Sequence, residues 1–184
     1  LYRSLIQSYN TFTMIAIYLR EIVFGFEDSF VSTLGTITGI AVGTGNSHIV
    51  VLSGVVLILV EAISMGAGSY ISAKTQVEVE ATHHRRGAHT FREHPFLAGL
   101  IMFFSYLIGG AVPLVPYFFL SVTAALWPSV ALTVAALFLL GAWKSRYTQR
   151  SWWKSGVEMV IVCALAAGLG YIVGALLGRF FASA

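Results

Sequence analysis

The sequence predicts an all-α integral membrane protein with five transmembrane helices, and three observations carry that reading. Of its 184 residues 57% are hydrophobic and only 10% are charged, whereas a soluble domain carries about 25% charged residues. Mean hydropathy is +0.81. Five apolar stretches approach the length needed to span, which is about 20 residues for about 30 Å of hydrocarbon. They use up nearly the whole chain and leave no room for a separate soluble catalytic domain. The expected organisation is an N-terminal cytoplasmic or interfacial segment over 1–20 and a transmembrane domain over 21–184, with a short cytoplasmic loop at about 75–94.

The first stretch, Ile22–Val42, is rich in Gly, Thr and Ser, which suits a helix packed in protein rather than facing lipid. The second is Ile49–Ser72. The third, Phe96–Leu120, holds Pro113 and Pro116, which should kink or break it and free backbone carbonyls. The fourth is Ser129–Trp143 with its flanks, and the fifth is Val157–Leu177.

The connections Gly43–His48 and Ser121–Pro128 contain no Lys or Arg. Lys74, Arg85, Arg86 and Arg92 follow the second stretch; Lys144, Arg146, Arg150 and Lys154 follow the fourth. With Arg3 and Arg20, ten basic residues fall on one side and only Arg179 on the other. The positive-inside rule then places the N-terminus in the cytoplasm and the C-terminus outside or in a lumen. The net charge of +3 is explained by this topology, and no nucleic-acid partner is expected. Cys163 is the single cysteine and forms no intramolecular disulfide. No cleavable signal peptide is visible, and Leu1 in place of Met suggests a trimmed N-terminus.

An odd number of spans does not divide into two equal inverted halves, so a pathway in so small a chain calls for a second copy. Gly35, Gly39 and Gly43 form one stripe of small residues, and Gly170, Gly174 and Gly178 another, each permitting close helix contact. The first stripe is read as a dimer contact; the second serves a dimer or internal packing equally well. Asp28 lies seven residues before Gly35, on nearly the same helix face. In a homodimer with its pathway near the two-fold axis, two Asp28 carboxylates would face each other and repel unless a cation or proton sat between them.

Acidic residues within spans are the main chemical signal. A carboxylate at the bilayer centre costs roughly 2.5–3.5 kcal/mol even on the mildest scale, so such groups usually line an ion or proton path. Asp28, Glu61 and Glu158 qualify, with Glu27 beside the first. Glu61 and Met65 are four apart and share a face. Counting inward from Gly43 puts Asp28 roughly 22 Å deep, and counting from Ile49 puts Met65 roughly 24 Å deep. Glu61 then lies one turn further out. Carboxylate with thioether at one level suits a borderline divalent transition metal, whereas magnesium or calcium takes oxygen alone.

Plainer readings stand beside these. Asp28 also suits the N-cap of a helix beginning near Ser29, Met65 suits core packing, and Glu158 suits a pair with Lys154. Glu21 reads as an interfacial residue or as part of a cytoplasmic intake with Met159 and the loop histidines His83, His84 and His89. That loop matches no closed metal motif, and a solvated polar loop is its plainer reading. An intramembrane enzyme is disfavoured, because all five His lie in connections and no HExxH motif occurs.

Leu19-Arg20-Glu21-Ile22-Val23-Phe24-Gly25-Phe26-Glu27-Asp28, followed by Ser29-Phe30-Val31-Ser32-Thr33, resembles the first-helix signature of the vacuolar iron transporter family. Ser29 stands where a Gly is usual. Ala62-Ile63-Ser64-Met65-Gly66-Ala67-Gly68-Ser69-Tyr70 resembles the second-helix motif, with Ser69 at a commonly acidic position. Pro113-Leu114-Val115-Pro116-Tyr117 is similar to the third helix. Leu139 to Lys144, then Ser151 to Met159, is similar to the start of the last. The resemblance spans about Leu19 to Gly174.

The resemblance implies a five-helix protomer acting as a homodimer in the bilayer, exporting Fe2+ or Mn2+ from the cytosol in exchange for H+. It assigns the metal path to Asp28 and Met65, with Glu61 compensating for the missing acid at Ser69. No permanently bound cofactor is expected. The long acidic cytoplasmic insert of many members is reduced to about twenty residues, which leaves capture to the short loop or to another domain, such as an N-terminal ferritin-like domain or an iron-donor protein. The rival readings are a passive divalent-cation channel and a non-transporting membrane module of an iron-storage protein. The expected location is a prokaryotic inner membrane, with a vacuolar or other organelle membrane as the alternative.

Overall fold

The structure is a computed structural model that describes residues 2–83 and 94–182, with side chains described over 18–79 and 94–180. Six helices make up the described chain: α1 (Tyr2–Thr44), α2 (Ser47–His83), α3 (Pro95–Leu114), α4 (Pro116–Phe119), α5 (Val122–Thr148) and α6 (Trp152–Ala182). There is no strand among the described residues.

Local chemistry sets the breaks. Between α1 and α2 only Gly45 and Asn46 are non-helical; Gly45 takes φ +63, a conformation open to glycine at little cost. Asn46 Oδ1 then accepts the N–H groups of His48 at 2.9 Å and Ile49 at 3.4 Å, capping α2. Pro113 and Pro116 do break the third stretch, as the sequence suggests. α3 stops at Leu114 and the single-turn α4 follows. The carbonyl of Pro113 accepts the Ser129 hydroxyl of α5 at 2.6 Å, so that group ties two helices together.

The fourth helix starts earlier than expected. Pro128 lies inside α5, and the expected connection Ser121–Pro128 shrinks to Leu120 and Ser121. Pro128 falls in the second turn, where its ring gives up the bond to the Ala124 carbonyl and crowds it, yet α5 runs on through it. α2 likewise runs on through Thr75 to His83, shortening the expected loop. Asp28 sits in the unbroken interior of α1, so it is not an N-cap.

Among the described residues four helices are long and apolar enough to cross a membrane: α2 over Ser47–Val79, α3, α5, and α6 over Trp152–Phe180. α1 falls outside that group, although the sequence predicts five spans. The reason lies in its position, because α1 packs against α2, α3, α5 and α6 at once. A helix shielded by its neighbours can carry Ser29, Thr33 and Thr38 as buried residues. The outside of the bundle has the opposite character. Phe119 is 82% exposed and Trp127 73% exposed, and so large an apolar exterior is sustained by lipid rather than by water.

The two glycine stripes meet each other within one chain. A Cβ added to Gly35 would lie 3.2 Å from the Ala166 carbonyl oxygen, one on Gly39 2.9 Å from that of Gly170, and one on Gly43 3.1 Å from that of Gly174. α1 and α6 therefore run parallel in fixed register. The first stripe, read as a dimer contact, thus meets α6 of its own chain, and the absence of side chains there permits that close approach.

Candidate functional site

The pairing of α1 with α2 sets the level of the polar residues. Tyr18 shares a cluster with Ala73 and Ala98 at one end. At the other, the Ile37 side chain comes against Gly54. Extended along the two antiparallel helices, this pairing brings Asp28 level with Ile63, between Glu61 and Met65. The sequence estimate had put Asp28 level with Met65 and Glu61 a full turn outward; the packed helices centre it between them. All three are half-buried.

A third helix completes the arrangement. Tyr106 of α3 has no exposed surface and donates its hydroxyl proton to Glu61 Oε2. Its oxygen lies 2.6 Å from Ser32 Oγ. Ser32 is one turn beyond Asp28 on α1, so Asp28, Ser32, Tyr106 and Glu61 draw three helices together. The Asp28 and Glu61 carboxylates are within electrostatic reach of each other, and Asp28 is within reach of the Tyr106 hydroxyl. Among the described residues neither carboxylate has a Lys, Arg or His partner. Two acids within electrostatic reach and without a base favour a bound cation, whether proton or metal.

Asp28 also closes one end of a groove of about 750 Å3 along α1 and α6, floored by their glycines and otherwise nearly apolar. Among the described residues no three His, Cys, Asp or Glu side chains converge on one point. The donors that one chain offers here are two carboxylates and the thioether of Met65 on the adjoining turn, with the hydroxyls of Ser32 and Tyr106 bonded behind Glu61. Oxygen with one soft sulfur is a donor set for a borderline divalent metal.

Other expected residues fall elsewhere. Glu27 is half-buried beside Asp28 on α1, and the α1–α6 register puts exposed Glu158 at its level. No ion pair joins Glu158 to Lys154 among the described residues. Glu21, expected at the membrane interface, is fully buried against the protein. Its Oε1 accepts from Arg20 Nε at 3.0 Å and Nη2 at 2.6 Å, while its Oε2 has no partner among the described residues. Met159, expected at the intake, is buried in an apolar cluster with Val23, Leu137 and Cys163. The side chains of His83, His84 and His89 lie outside the described residues.

The sequence profile of the VIT family matches residues 19–95 and 87–175. The chain belongs to the VIT family. The first matched segment carries Asp28, Ser32, Glu61 and Met65, and the second carries Tyr106. Among curated VIT relatives, vacuolar iron transporter 1 of Oryza sativa subsp. japonica is 26% identical over 83% of this chain and 82% of its own length. A vacuolar iron transporter of Arthroderma benhamiae is 23% identical over 82% of this chain and 76% of its own. An uncharacterized protein of Methanocaldococcus jannaschii is 26% identical over 84% and 87%.

Sequence reasoning missed Tyr106 and the role of Ser32. The available signal was a tyrosine following Ser105 midway along an apolar stretch. There a phenol hydroxyl has no water to bond and must find a partner within the bundle.

Proposed function

We propose that this chain carries a divalent transition metal, Fe2+ or Mn2+, across a membrane, moving it out of the cytosol in exchange for protons. The observation that carries the proposal is the pair Asp28 and Glu61, half-buried at one level within electrostatic reach, without a basic partner among the described residues and adjoined by Met65. Charges at such a depth are costly, and a carboxylate taken from water is satisfied by whichever cation neutralises it. Proton and metal then compete for the same oxygens, which is the physical basis of exchange. Membership of the VIT family, and relatives named as vacuolar iron transporters, support metal transport as the general activity.

In this reading α1 is a fifth span enclosed by the other four, with the N-terminus cytoplasmic and the C-terminus outside or lumenal. Two protomers associate along the open side of α1. There Phe24 is 51% exposed and Asp28 borders the groove, so a partner copy would supply the ligands that one chain lacks. Asp28, Glu61 and Met65 hold the metal, and Glu27 and Glu158 lie on its path.

Uptake into proteoliposomes holding an internal pH probe tests this, with Fe2+ and Mn2+ assayed separately, with and without a proton gradient, beside Asp28→Ala. Metal flux with coupled proton movement, lost in a folded mutant, is the expected result. Flux indifferent to the proton gradient would make the protein a channel. Absence of flux from a folded protein would make it a membrane anchor.

A further inference from the structure

We infer that Tyr106 is a positioning residue for the metal site, acting through Glu61; the inference rests on the transport reading above. Tyr106 is fully buried in a helix that supplies no carboxylate to the site. Phenylalanine would fill the same space without carrying a hydroxyl into an apolar bundle, where an unused polar group is costly. The hydroxyl is fully used. A phenol has one proton to give, and it goes to Glu61 Oε2. The Ser32 hydroxyl, 2.6 Å away, is therefore the donor to the tyrosine oxygen.

This ordered chain, Ser32 to Tyr106 to Glu61, has two consequences. It occupies one Glu61 oxygen and fixes the plane of the carboxylate, leaving Oε1 free to meet a cation. It also joins α1 to α2 through α3 one turn from Asp28, so the spacing of the two acids is held by a bond rather than by apolar contact alone. Ligands held by such outer partners bind metal more tightly than loose ones, because less order is lost on binding.

The test is a double-mutant cycle read by Mn2+ binding to the purified protein in lipid nanodiscs, alongside proteoliposome flux. Tyr106→Phe should weaken Mn2+ binding about tenfold, the worth of one hydrogen bond to a charged group. In a Glu61→Ala background the same substitution should cost less than about twofold, because no carboxylate is left to position. A merely structural tyrosine would cost the same in both backgrounds, and that additivity would overturn the inference, as would unchanged binding in Tyr106→Phe. Ser32→Ala, run through the same cycle, carries the test if the phenylalanine variant does not fold. Infrared spectroscopy provides a readout independent of metal: the carboxylate band lost in Glu61→Ala should shift in Tyr106→Phe, and an unmoved band would dismiss the link. Wild-type protein that neither binds nor moves metal would overturn the transport reading and this inference together. Wild-type flux with additive variants would overturn this inference alone.

Discussion

Gly39 of α1 and Gly170 of α6 meet backbone to backbone: a Cβ on Gly39 would stand 2.9 Å from the Gly170 carbonyl oxygen. A Cβ on Gly170 would run into the carbonyl of Gly35. Gly170→Ala must therefore push the two helices apart. The expected cost is about 1–3 kcal/mol, typical of overpacking, and a lower melting temperature in detergent would register it. Because the contact lies within one chain, the dimer proposed above should not dissociate in step. Loss of the oligomer with unchanged melting would place the stripe between chains instead.

Ser129→Ala should destabilise the fold without touching the site. Its hydroxyl gives the Pro113 carbonyl a partner at 2.6 Å, and a buried carbonyl left unpaired costs about 1–3 kcal/mol. Melting should fall while flux per folded molecule stays at the wild-type level. A change in flux at equal folded protein would show that the proline break belongs to the transport path.

The parts of the molecule that the sequence disclosed are those where one residue violates its surroundings. Asp28 and Glu61 announce themselves as charges in apolar stretches, and Pro113 with Pro116 as breaks in a long one. What stayed hidden depends on a neighbour. A glycine stripe advertises a close contact but not whose, so the meeting of Gly39 with Gly170 required the packed helices. Glu21 resembles an interfacial acid until its burial beside Arg20 is known. Tyr106 resembles packing until Glu61 and Ser32 stand on either side of its hydroxyl. Pro128 resembles a loop residue, because an apolar run interrupted by proline does not show that the helix begins six residues before it.

The two methionines of interest separate cleanly. Met159 lies in an apolar cluster with Leu137 and Cys163, so Met159→Leu conserves volume and should cost less than about 1.5 kcal/mol, with transport retained. Met65 lies on the turn beside the acids, and Met65→Leu removes the one thioether in that donor set. Mn2+ and Fe2+ binding isotherms of the two variants make the comparison. Weakening of about tenfold or more is expected for Met65→Leu only. Equal behaviour would return Met65 to the role of core packing.

Asp28→Asn should stabilise the protein and silence it. In the native chain two carboxylates lie within electrostatic reach, half-buried and without a basic partner. On the proposed function these acids await a cation, and function of that kind is commonly held at the expense of stability. Asparagine keeps the shape and removes one charge, so the metal-free protein should gain about 1–2 kcal/mol, the ordinary return from relieving such a site. Metal flux should fall by about two orders of magnitude or more, because a neutral amide is a poor ligand for a divalent ion that a carboxylate would hold. Added Mn2+ should then raise the melting temperature of the wild type but not of the variant. A variant that melts lower than wild type would mean that Asp28 is held by a partner in the fold, and its carboxylate would have to be assigned a structural role.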